Sequence, residues 1–508
     1  MPGPGDSGTD EARVGAQQSY IYCSTTRRFV VENAPRHTSP RGASRAAPVA
    51  AAMLASAGDD PGLALPRASS LGDAPREARR GDPPLDRAAY WLCFHLGVGI
   101  LLPWNAYVTA VDYFAAIHPN AHVDRLFGVL YFLPNLSTLP FVLRFAHLAA
   151  PRLRVRFGFG VFLACLLVPA AAPRSLAALC AAVALTGVAD AFAQGSLFGV
   201  VAQMLPAYTQ ALMGGTSFSG VVVSALRLVA KAASASDSVA GLRRGAVAYF
   251  AVAATWVASC LVAHGALERT EAYARSAAGE EGFRASDASE EYESERAALR
   301  DVDGFSFSSS ASAADRDPGN PAGASRGSVV ARKRSATTLG DAYRVARDVR
   351  FFAASVTACY AVTLSIFPGF LAEDVASATF GDWYPVLLIA AFNVADLVGK
   401  TLPGLRPGVF AETLAGRPGT TLALCLSRVL FVPAFDSARR GGAASGETAT
   451  FALTAALGAT NGWYSTAAMM AGPRWAAEED AEACGTVMVF FLLVGLALGA
   501  MCGWLWLL

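Results

Sequence analysis

The chain has 508 residues, of which 54% are hydrophobic and only 16% are charged. An ordinary soluble protein of this size is less apolar and more charged, so much of the apolar surface must face something other than water. The 41 lysines and arginines nearly cancel the 40 aspartates and glutamates. This balance excludes a strong net charge directed at nucleic acid or at an anionic surface, and we expect no nucleic-acid partner.

The N-terminal region 1–87 contains no apolar run long enough to cross a membrane. It begins MPGPGDSGTDEARVG, with acidic residues before basic ones, so we do not expect a cleaved secretory signal. We predict that this region is a disordered cytosolic tail and that the first membrane helix directs insertion.

From residue 88 onward the chain breaks into apolar runs of membrane-spanning length. A hydrocarbon layer of about 30 Å is crossed by about 20 helical residues, and on this basis we predict about eleven transmembrane helices. The fold class is therefore an all-α polytopic membrane protein. The predicted runs are 88–112, 126–147, 155–172, 176–205, 208–232, 246–267, 349–371, 384–402, 420–435, 450–471 and 483–508.

The region 268–346 separates the sixth run from the seventh and contains the polar stretches SSSASAADRD and ARKRSATT. Its apolar content is too low for a packed core, so we predict a disordered cytosolic loop. The loop divides the helices six plus five, with six in residues 88–267 and five in residues 347–508.

The orientation follows from arginines that precede the first run and lie between the second and third. By the positive-inside rule both segments are cytosolic, and an odd helix count then places the C-terminus outside the cytosol. Arginines at 243, 244, 439 and 440 fall in predicted outer loops and count against this orientation. We predict a cytosolic N-terminus and the plasma membrane, with a vacuolar or other organelle membrane as the alternative.

Two polar residues lie inside the fourth run. Asp190 and Gln194 are four residues apart, so they occupy the same face of a helix, one turn from each other. An ionisable group at bilayer depth is costly unless it is paired or faces a water-filled cavity. Asp190 has no cation one turn away and needs a partner from another helix, a proton or solvent. We therefore predict that it is the group that titrates during transport.

The eighth run carries Asn393, Asp396 and Lys400 at i, i+3 and i+7, which form one polar stripe on a helix. The simplest interpretation is an internal salt bridge that fixes helix packing. A mechanistic role is favoured, because a charge pair that exchanges partners provides two discrete packings of similar energy. Three further cations lie near predicted helix ends, and extension to the membrane interface is an equally good interpretation for Arg227, Lys231 and Arg428.

Neither a cofactor nor a metal is expected. The cysteines show no C-x-x-C pair and the histidines are few and dispersed. The chain also lacks the patterns H-E-x-x-H, G-x-S-x-G and the ATP-binding G-x-x-x-x-G-K-[ST]. A membrane enzyme is therefore disfavoured, and any transport must be facilitated or ion-coupled.

A series of motifs runs along the predicted helices. The first helix contains LGVGILLPWNAYVTAVDYF, and the later motifs lie between residue 194 and the last helix. They are QGSLFG, SGVVVSALRLVAKA, VTLSIFPGF, FNVADLVGK, SRVLFVPAF, TNGWYST and FFLLVGLALG. Taken together and in this order, the motifs resemble the equilibrative nucleoside transporter family. The stretches GVADA and SALRLVAKA and the terminal WLWL are most similar to its plant and green-algal members.

The resemblance implies a major-facilitator-like fold with a nucleoside or nucleobase cavity between the two groups of helices. It places the aromatic and aliphatic walls and the base-binding amides mainly on the first six helices. It places the groups that face the ribose hydroxyls on the eighth helix. The implied substrate-binding residues are Leu101, Trp104, Asn105, Phe132, Asn135, Gln194, Phe367, Asn393, Asp396, Lys400 and Leu496, with Asn105 holding the packing of the first helix.

Two residues depart from the family pattern. Lys400 stands where the family usually has arginine, which keeps the charge but loses a planar two-pronged donor. Asp190 replaces the glycine typical of animal members, which favours proton coupling over simple equilibration. The alternatives are a carrier of another small polar solute and a transporter-like receptor that binds its ligand without flux.

Overall fold

A computed structural model describes residues 84–119, 121, 123–233, 239–276, 339–373, 375–405, 414–441 and 446–507. Within these ranges all regular secondary structure is helical. Nearly all of the predicted tail 1–87 and residues 277–338 of the predicted loop lie outside them. The C-terminal part of that predicted loop differs from expectation, because Leu339–Asp348 forms a helix.

Eleven long helical segments occur in the described part of the chain, in close agreement with the predicted runs. They are α1 (Arg87–Thr109), α2 (Val123–Arg144), α3 (Pro151–Ala171), α4 (Leu176–Ala202), α5 (Pro206–Ala233), α6 (Val239–Leu267), α7 (Arg350–Ile366), α8 (Trp383–Leu405), α9 (Pro418–Ser427, continued by Arg428–Leu430 and Phe431–Arg439), α10 (Glu447–Trp475) and α11 (Ala481–Cys502). Shorter helices are Val111–Ile117 and Gly369–Glu373.

Ten of these segments are long and apolar enough to cross a membrane. The exception is α10, which has 29 residues but carries five threonines and three glycines. Its polar face is directed inward, since Thr454, Asn461 and Ser465 are buried. The polar face of the helix therefore packs inside the protein, whereas Thr448, Ala452 and Ala456 lie exposed on another face.

Local sequence sets the helix starts. The Asp86 side chain accepts hydrogen bonds from the backbone N–H groups of Ala88 (2.9 Å) and Ala89 (3.2 Å), which caps the N-terminus of α1. The Asp86 backbone N–H donates to the Tyr208 hydroxyl (3.0 Å) and so ties the start of α1 to the start of α5. Ser175 caps α4 in the same way, through the Ala178 N–H (3.3 Å).

The helices form two groups. In the first bundle, α1–α6, α1 packs on α5 and α6, and α4 packs on α2 and α3. In the second bundle, α7–α11, α8 packs on α10, and α7 packs on α10 and α11. The bundles meet mainly where α5 contacts α8 and α10, and where α11 contacts α4 and α2. The predicted six-plus-five arrangement is confirmed.

Two predicted helices are interrupted. The run predicted for 349–371 stops as α7 at Ile366, and Phe367 lies in the turn before the short helix Gly369–Glu373. In α9 a 3-10 turn at Arg428–Leu430 divides the segment. Such turns displace side chains from a regular helical stripe, so neither break is visible in hydropathy alone.

Candidate functional site

One buried carboxylate belongs to the first bundle. Asp190 of α4 is 1% exposed, and its Oδ2 accepts hydrogen bonds from the Tyr131 hydroxyl (2.9 Å) and from Asn135 Nδ2 (2.6 Å), both on α2. The Oδ1 atoms of Asp190 and Asn135 are buried and have no hydrogen-bond partner among the described residues. No cation of these residues lies within ion-pair distance of Asp190. We call Asp190, Tyr131 and Asn135 the Asp190 cluster.

Aromatic rings cover this cluster. Trp104 of α1 stacks on Tyr131 with centroids 4.1 Å apart and planes 13° apart. Phe132 meets the Trp104 ring edge-on at 5.6 Å. Trp104 and Phe132 are only partly buried, so the rings lie between the buried carboxylate and the accessible space beside them.

A second buried carboxylate lies between the bundles. Asp396 of α8 is 6% exposed, and its Oδ2 lies 3.4 Å from the Lys400 Nζ. The same oxygen accepts a hydrogen bond from Ser217 of α5, and Oδ1 accepts one from Asn461 Nδ2 of α10 (2.7 Å). Lys400 Nζ also donates to Thr216 Oγ1 of α5 (3.2 Å). We call this group the Asp396 cluster.

The rest of the predicted stripe on α8 faces α5 as well. Asn393 Nδ2 donates to Ser224 Oγ (2.9 Å) and to the Gly220 carbonyl (3.3 Å). At the other end, Gln210 Nε2 donates to the Lys400 carbonyl (3.0 Å). Because 216, 220 and 224 recur every four residues, the stripe of α8 is matched by small residues on one face of α5. That pattern is the sequence signal that would have predicted the partner helix.

Arg428 was missed as an organising residue. The interpretation that it extends to the interface is wrong, because it is 2% exposed and makes hydrogen bonds within the second bundle. One of its neighbours, Thr363 of α7, donates to Asn461 Oδ1 (2.7 Å). Arg428 is thereby connected to the Asp396 cluster.

The other predicted residues are dispersed around the two clusters. Asn105 Nδ2 donates to Ser219 Oγ of α5 (2.9 Å), which joins α1 to the helix that contacts Asp396. Phe367 stacks on Phe392 at 3.9 Å. Gln194 is 6% exposed and makes no hydrogen bond to a described residue. Leu101 and Leu496 are partly buried.

The predicted site is therefore not one contiguous hydrogen-bonded network. No hydrogen bond between described residues joins the Asp190 cluster directly to the Asp396 cluster. One connection runs through α1, because Trp104 stacks on Tyr131 of the Asp190 cluster and the adjacent Asn105 donates to Ser219 on α5, the helix that contacts Asp396. Across the described ranges, no set of three His, Cys, Asp or Glu side chains is placed to hold a metal ion.

A separate contact closes the bundles where α4 ends and α11 begins. Arg154 at the start of α3 forms an ion pair with Glu482 of α11. Thr486 Oγ1 donates to the Gly195 carbonyl of α4 (3.0 Å). A Cβ atom added at Gly485 would lie 2.3 Å from the Phe198 carbonyl oxygen, so only glycine permits this approach. We call these contacts the α4–α11 seam.

In the described residues, six helices pack on five and charged side chains are buried where the bundles meet, which is a major-facilitator-like architecture. The fold is similar to that of the major facilitator superfamily transporter FucP in the outward conformation, with a TM-score of 0.52 and 12% identity over 82% of this chain and 92% of that one. The predicted all-α, major-facilitator-like fold class is confirmed.

Residues 180–508 match the family model described as nucleoside transporter. The chain is 35% identical to equilibrative nucleotide transporter 1 of Arabidopsis thaliana, over 85% of this chain and 89% of the relative. It is 29% identical to equilibrative nucleotide transporter 8 of the same plant, over 83% and 95%. The chain belongs to the nucleoside transporter family. It is an integral, multi-pass membrane protein and a transporter of nucleosides rather than an enzyme, as the sequence predicts.

Proposed function

We propose that the chain carries nucleosides by alternating access, with the substrate bound between the two bundles beside Asp396. The observation that carries this proposal is the buried Asp396–Lys400 pair, which belongs to the second bundle and is hydrogen-bonded to Ser217 and Thr216 of the first. Hydroxyl-to-carboxylate contacts across a moving interface are contacts that a sugar hydroxyl can replace. Buried charge pairs that exchange partners give an interface two stable arrangements.

The proposed residue roles follow the chemistry of a nucleoside, which has a flat base with hydrogen-bonding edges and a polar sugar. Aromatic and aliphatic side chains pack on the base, amides bond its edge, and the α8 stripe receives the sugar hydroxyls. Asn105 keeps α1 on α5. The residues proposed to pack on the base are Leu101, Trp104, Phe132, Phe367 and Leu496. Those proposed to bond its edge are Asn135 and Gln194, and those proposed to receive the sugar hydroxyls are Asn393, Asp396 and Lys400.

The charges favour a neutral nucleoside over a nucleoside phosphate. Lys400 is already paired with Asp396, and Asp190 adds a carboxylate with no cation within ion-pair distance among the described residues. A phosphate taken out of water needs unpaired donors or cations to replace its hydration. The predicted site offers no surplus positive charge of that kind.

Proton coupling is proposed for Asp190. A buried carboxylate without a nearby cation is costly to keep charged, and Asp190 Oδ1 has no hydrogen-bond partner within the described ranges. A proton on that oxygen would cancel the buried charge. Asp190 also lies on α4, one of the two helices of the α4–α11 seam, so protonation and movement of this helix are mechanically linked.

The α4–α11 seam supports a conformation that is closed at one end of the bundles. With the orientation predicted from the arginines, this is the cytosolic end, and the binding region opens to the opposite side. Transport then requires the seam to part. We propose that the N-terminus is cytosolic and that the plasma membrane is the site of action, with a vacuolar or other organelle membrane as the alternative.

The proposal is tested with radiolabelled uridine, adenosine and adenine in vesicles that contain the full chain, with and without an inward proton gradient. We expect saturable uptake of both nucleosides, stimulated by the gradient. Uptake that is driven equally well by unrelated polar solutes, or absent for every nucleoside, would contradict it.

A further inference from the structure

The guanidinium group of Arg428 has no donor left for a ligand. Its Nε–H donates to Thr460 Oγ1 (3.1 Å), its Nη1 hydrogens to the carbonyl and the Sγ of Cys359, and its Nη2 hydrogens to Thr363 Oγ1 (2.9 Å) and the Leu457 carbonyl (3.0 Å). These are all five N–H groups of an arginine. No carboxylate of the described residues lies within ion-pair distance of it. Its role must therefore be exerted through its neighbours.

One of those neighbours begins a chain of hydrogen bonds with a defined direction. Thr363 Oγ1 accepts from Arg428 and has a single proton, for which Asn461 Oδ1 (2.7 Å) and the Cys359 carbonyl (2.8 Å) are both within hydrogen-bond distance. The Asn461 amide favours donation to Asn461, because its Nδ2 donates to Asp396 and its Oδ1 is therefore turned toward Thr363. With its oxygen occupied in this way, Asn461 presents Nδ2 to Asp396 Oδ1 (2.7 Å). In this series of hydrogen bonds, each donor faces an acceptor, from Arg428 to the carboxylate of Asp396.

The two oxygens of Asp396 have partners of different kinds. Oδ1 accepts from Asn461, and the three residues Arg428, Thr363 and Asn461 all belong to the second bundle, on α9, α7 and α10. Oδ2 lies near Lys400 on its own helix and accepts from Ser217 on the first bundle. When the bundles move relative to each other, the contacts of Oδ1 travel with α8, whereas the contact with Ser217 is broken.

We propose that Arg428 is a positioning residue for substrate binding, acting through Thr363 and Asn461 to hold Asp396 Oδ1 so that Oδ2 is free to exchange Ser217 for a sugar hydroxyl. This inference rests on the proposed function, in which Asp396 receives the sugar. It assigns a role to a buried cation whose five N–H groups are all bonded within the second bundle. It also explains how a carboxylate keeps one orientation while its partners from the first bundle change.

The test compares uridine with 2′,3′-dideoxyuridine, which lacks both hydroxyls that Asp396 would bind. The KM values of both are measured with the purified full chain in proteoliposomes. Thr363→Val is a near-isosteric change that interrupts the series of hydrogen bonds from Arg428 to Asp396. We expect the preference for uridine to fall roughly tenfold, which is the effect of weakening one hydrogen bond to a charged group. Arg428→Lys should reduce the preference likewise, because a lysine cannot reproduce the planar set of five donors.

Two matched variants separate positioning from structural support. Thr363→Ser keeps the hydroxyl and should keep the preference. Thr460→Val removes a different hydrogen bond to Arg428, on a branch that does not lead to Asp396, and should also keep it. Equal changes in the two KM values in Thr363→Val, or the same loss of preference in Thr460→Val, would overturn the proposal.

Asp396→Asn separates the proposed role of Asp396 in sugar binding from the positioning role of Arg428. If this variant retains the preference for uridine, or if the parent chain has none, the proposed role of Asp396 fails and the positioning role fails with it. If Asp396→Asn loses the preference while Thr363→Val and Arg428→Lys keep it, only the role of Arg428 is wrong. Equilibrium competition binding gives the same comparison for any variant whose transport is too slow.

Discussion

The two buried carboxylates of this transporter differ in what surrounds them. Asp396 lies between the bundles with a lysine 3.4 Å away, and donors from three helices occupy its two oxygens. Asp190 lies inside the first bundle with a phenol and an amide on one oxygen, and its other oxygen has no hydrogen-bond partner among the described residues. In the first arrangement a lysine of the same helix balances the charge of the carboxylate. In the second, no cation of the described residues does so.

We propose that this difference reflects a division of labour within one pathway. In this proposal Asp396 provides directional hydrogen bonds to the substrate, whereas Asp190 couples the transport cycle to a proton gradient. Substitutions that affect one cluster should therefore leave the characteristic property of the other intact.

The largest effect is expected when the negative charge of Asp396 is removed. Asp396→Asn leaves Lys400, which is 4% exposed, without its counter-charge. Disrupting a buried pair in this way costs about 3–5 kcal/mol, so uridine uptake should fall roughly a hundredfold or more. The measurement is initial uptake normalised to surface expression. The double variant Asp396→Asn with Lys400→Met should recover expression without recovering uptake. Uptake near the parent level in Asp396→Asn would show that the pair is not part of the substrate site.

The next effect concerns the α4–α11 seam, where the helix that carries Asp190 packs against the second bundle. Gly485→Ala inserts a Cβ 2.3 Å from the Phe198 carbonyl oxygen, so the α4–α11 seam cannot close in its present form. We expect more than a tenfold loss of uptake, since overpacking costs about 1–3 kcal/mol. Thr486 is buried, so Thr486→Cys alone should not react with a membrane-impermeant thiol reagent. Combined with Gly485→Ala, Thr486→Cys should become reactive. Gly160→Ala is the control, because nothing lies within 4 Å of its added Cβ.

A third prediction separates base binding from sugar binding. Trp104→Ala removes the ring that stacks on Tyr131, and it should raise the KM of adenine and of adenosine alike by about tenfold, as expected for loss of an aromatic contact. Asp396→Asn should instead impair adenosine more than adenine. If Trp104→Ala leaves both KM values unchanged, the ring belongs to the core and not to the binding region.

The smallest effect is expected at the ion pair of the seam. Arg154→Ala removes the partner of Glu482, which is 24% exposed and partly solvated. The loss should be only about threefold to fivefold in the maximal rate, in keeping with ion pairs that water screens. Arg156→Ala is the matched control, because Arg156 pairs with Glu268, a residue of the same bundle. Equal effects of the two substitutions would assign the Arg154 pair a role in stability alone.

Hydropathy and the spacing of polar residues were sufficient to predict most of the architecture. Apolar runs located the helices because length and composition alone decide whether a segment crosses a bilayer. The i, i+3, i+7 spacing of Asn393, Asp396 and Lys400 placed them on one face of a helix, and in the structure that face is directed at α5. Helical geometry is local, so such relations follow from the sequence.

The remaining contacts could not be predicted because they join distant parts of the chain. Nothing in the sequence around Arg428 indicates that its acceptors come from α7 and α10, and a cation near a helix end more often extends to the interface. Tyr131 was also missed as a partner of Asp190, although it lies four residues before Asn135 and therefore shares its face of α2. That spacing was the one signal available.

Whether Asp190 alone couples transport to protons is the most direct test of this division of labour. Radiolabelled uridine is followed in proteoliposomes under an inward proton gradient, for the parent chain and for Asp190→Asn. We predict that the parent accumulates uridine above the external concentration, and that Asp190→Asn only equilibrates it while still exchanging labelled for unlabelled uridine. Gradient-driven accumulation that persists in Asp190→Asn would contradict the account.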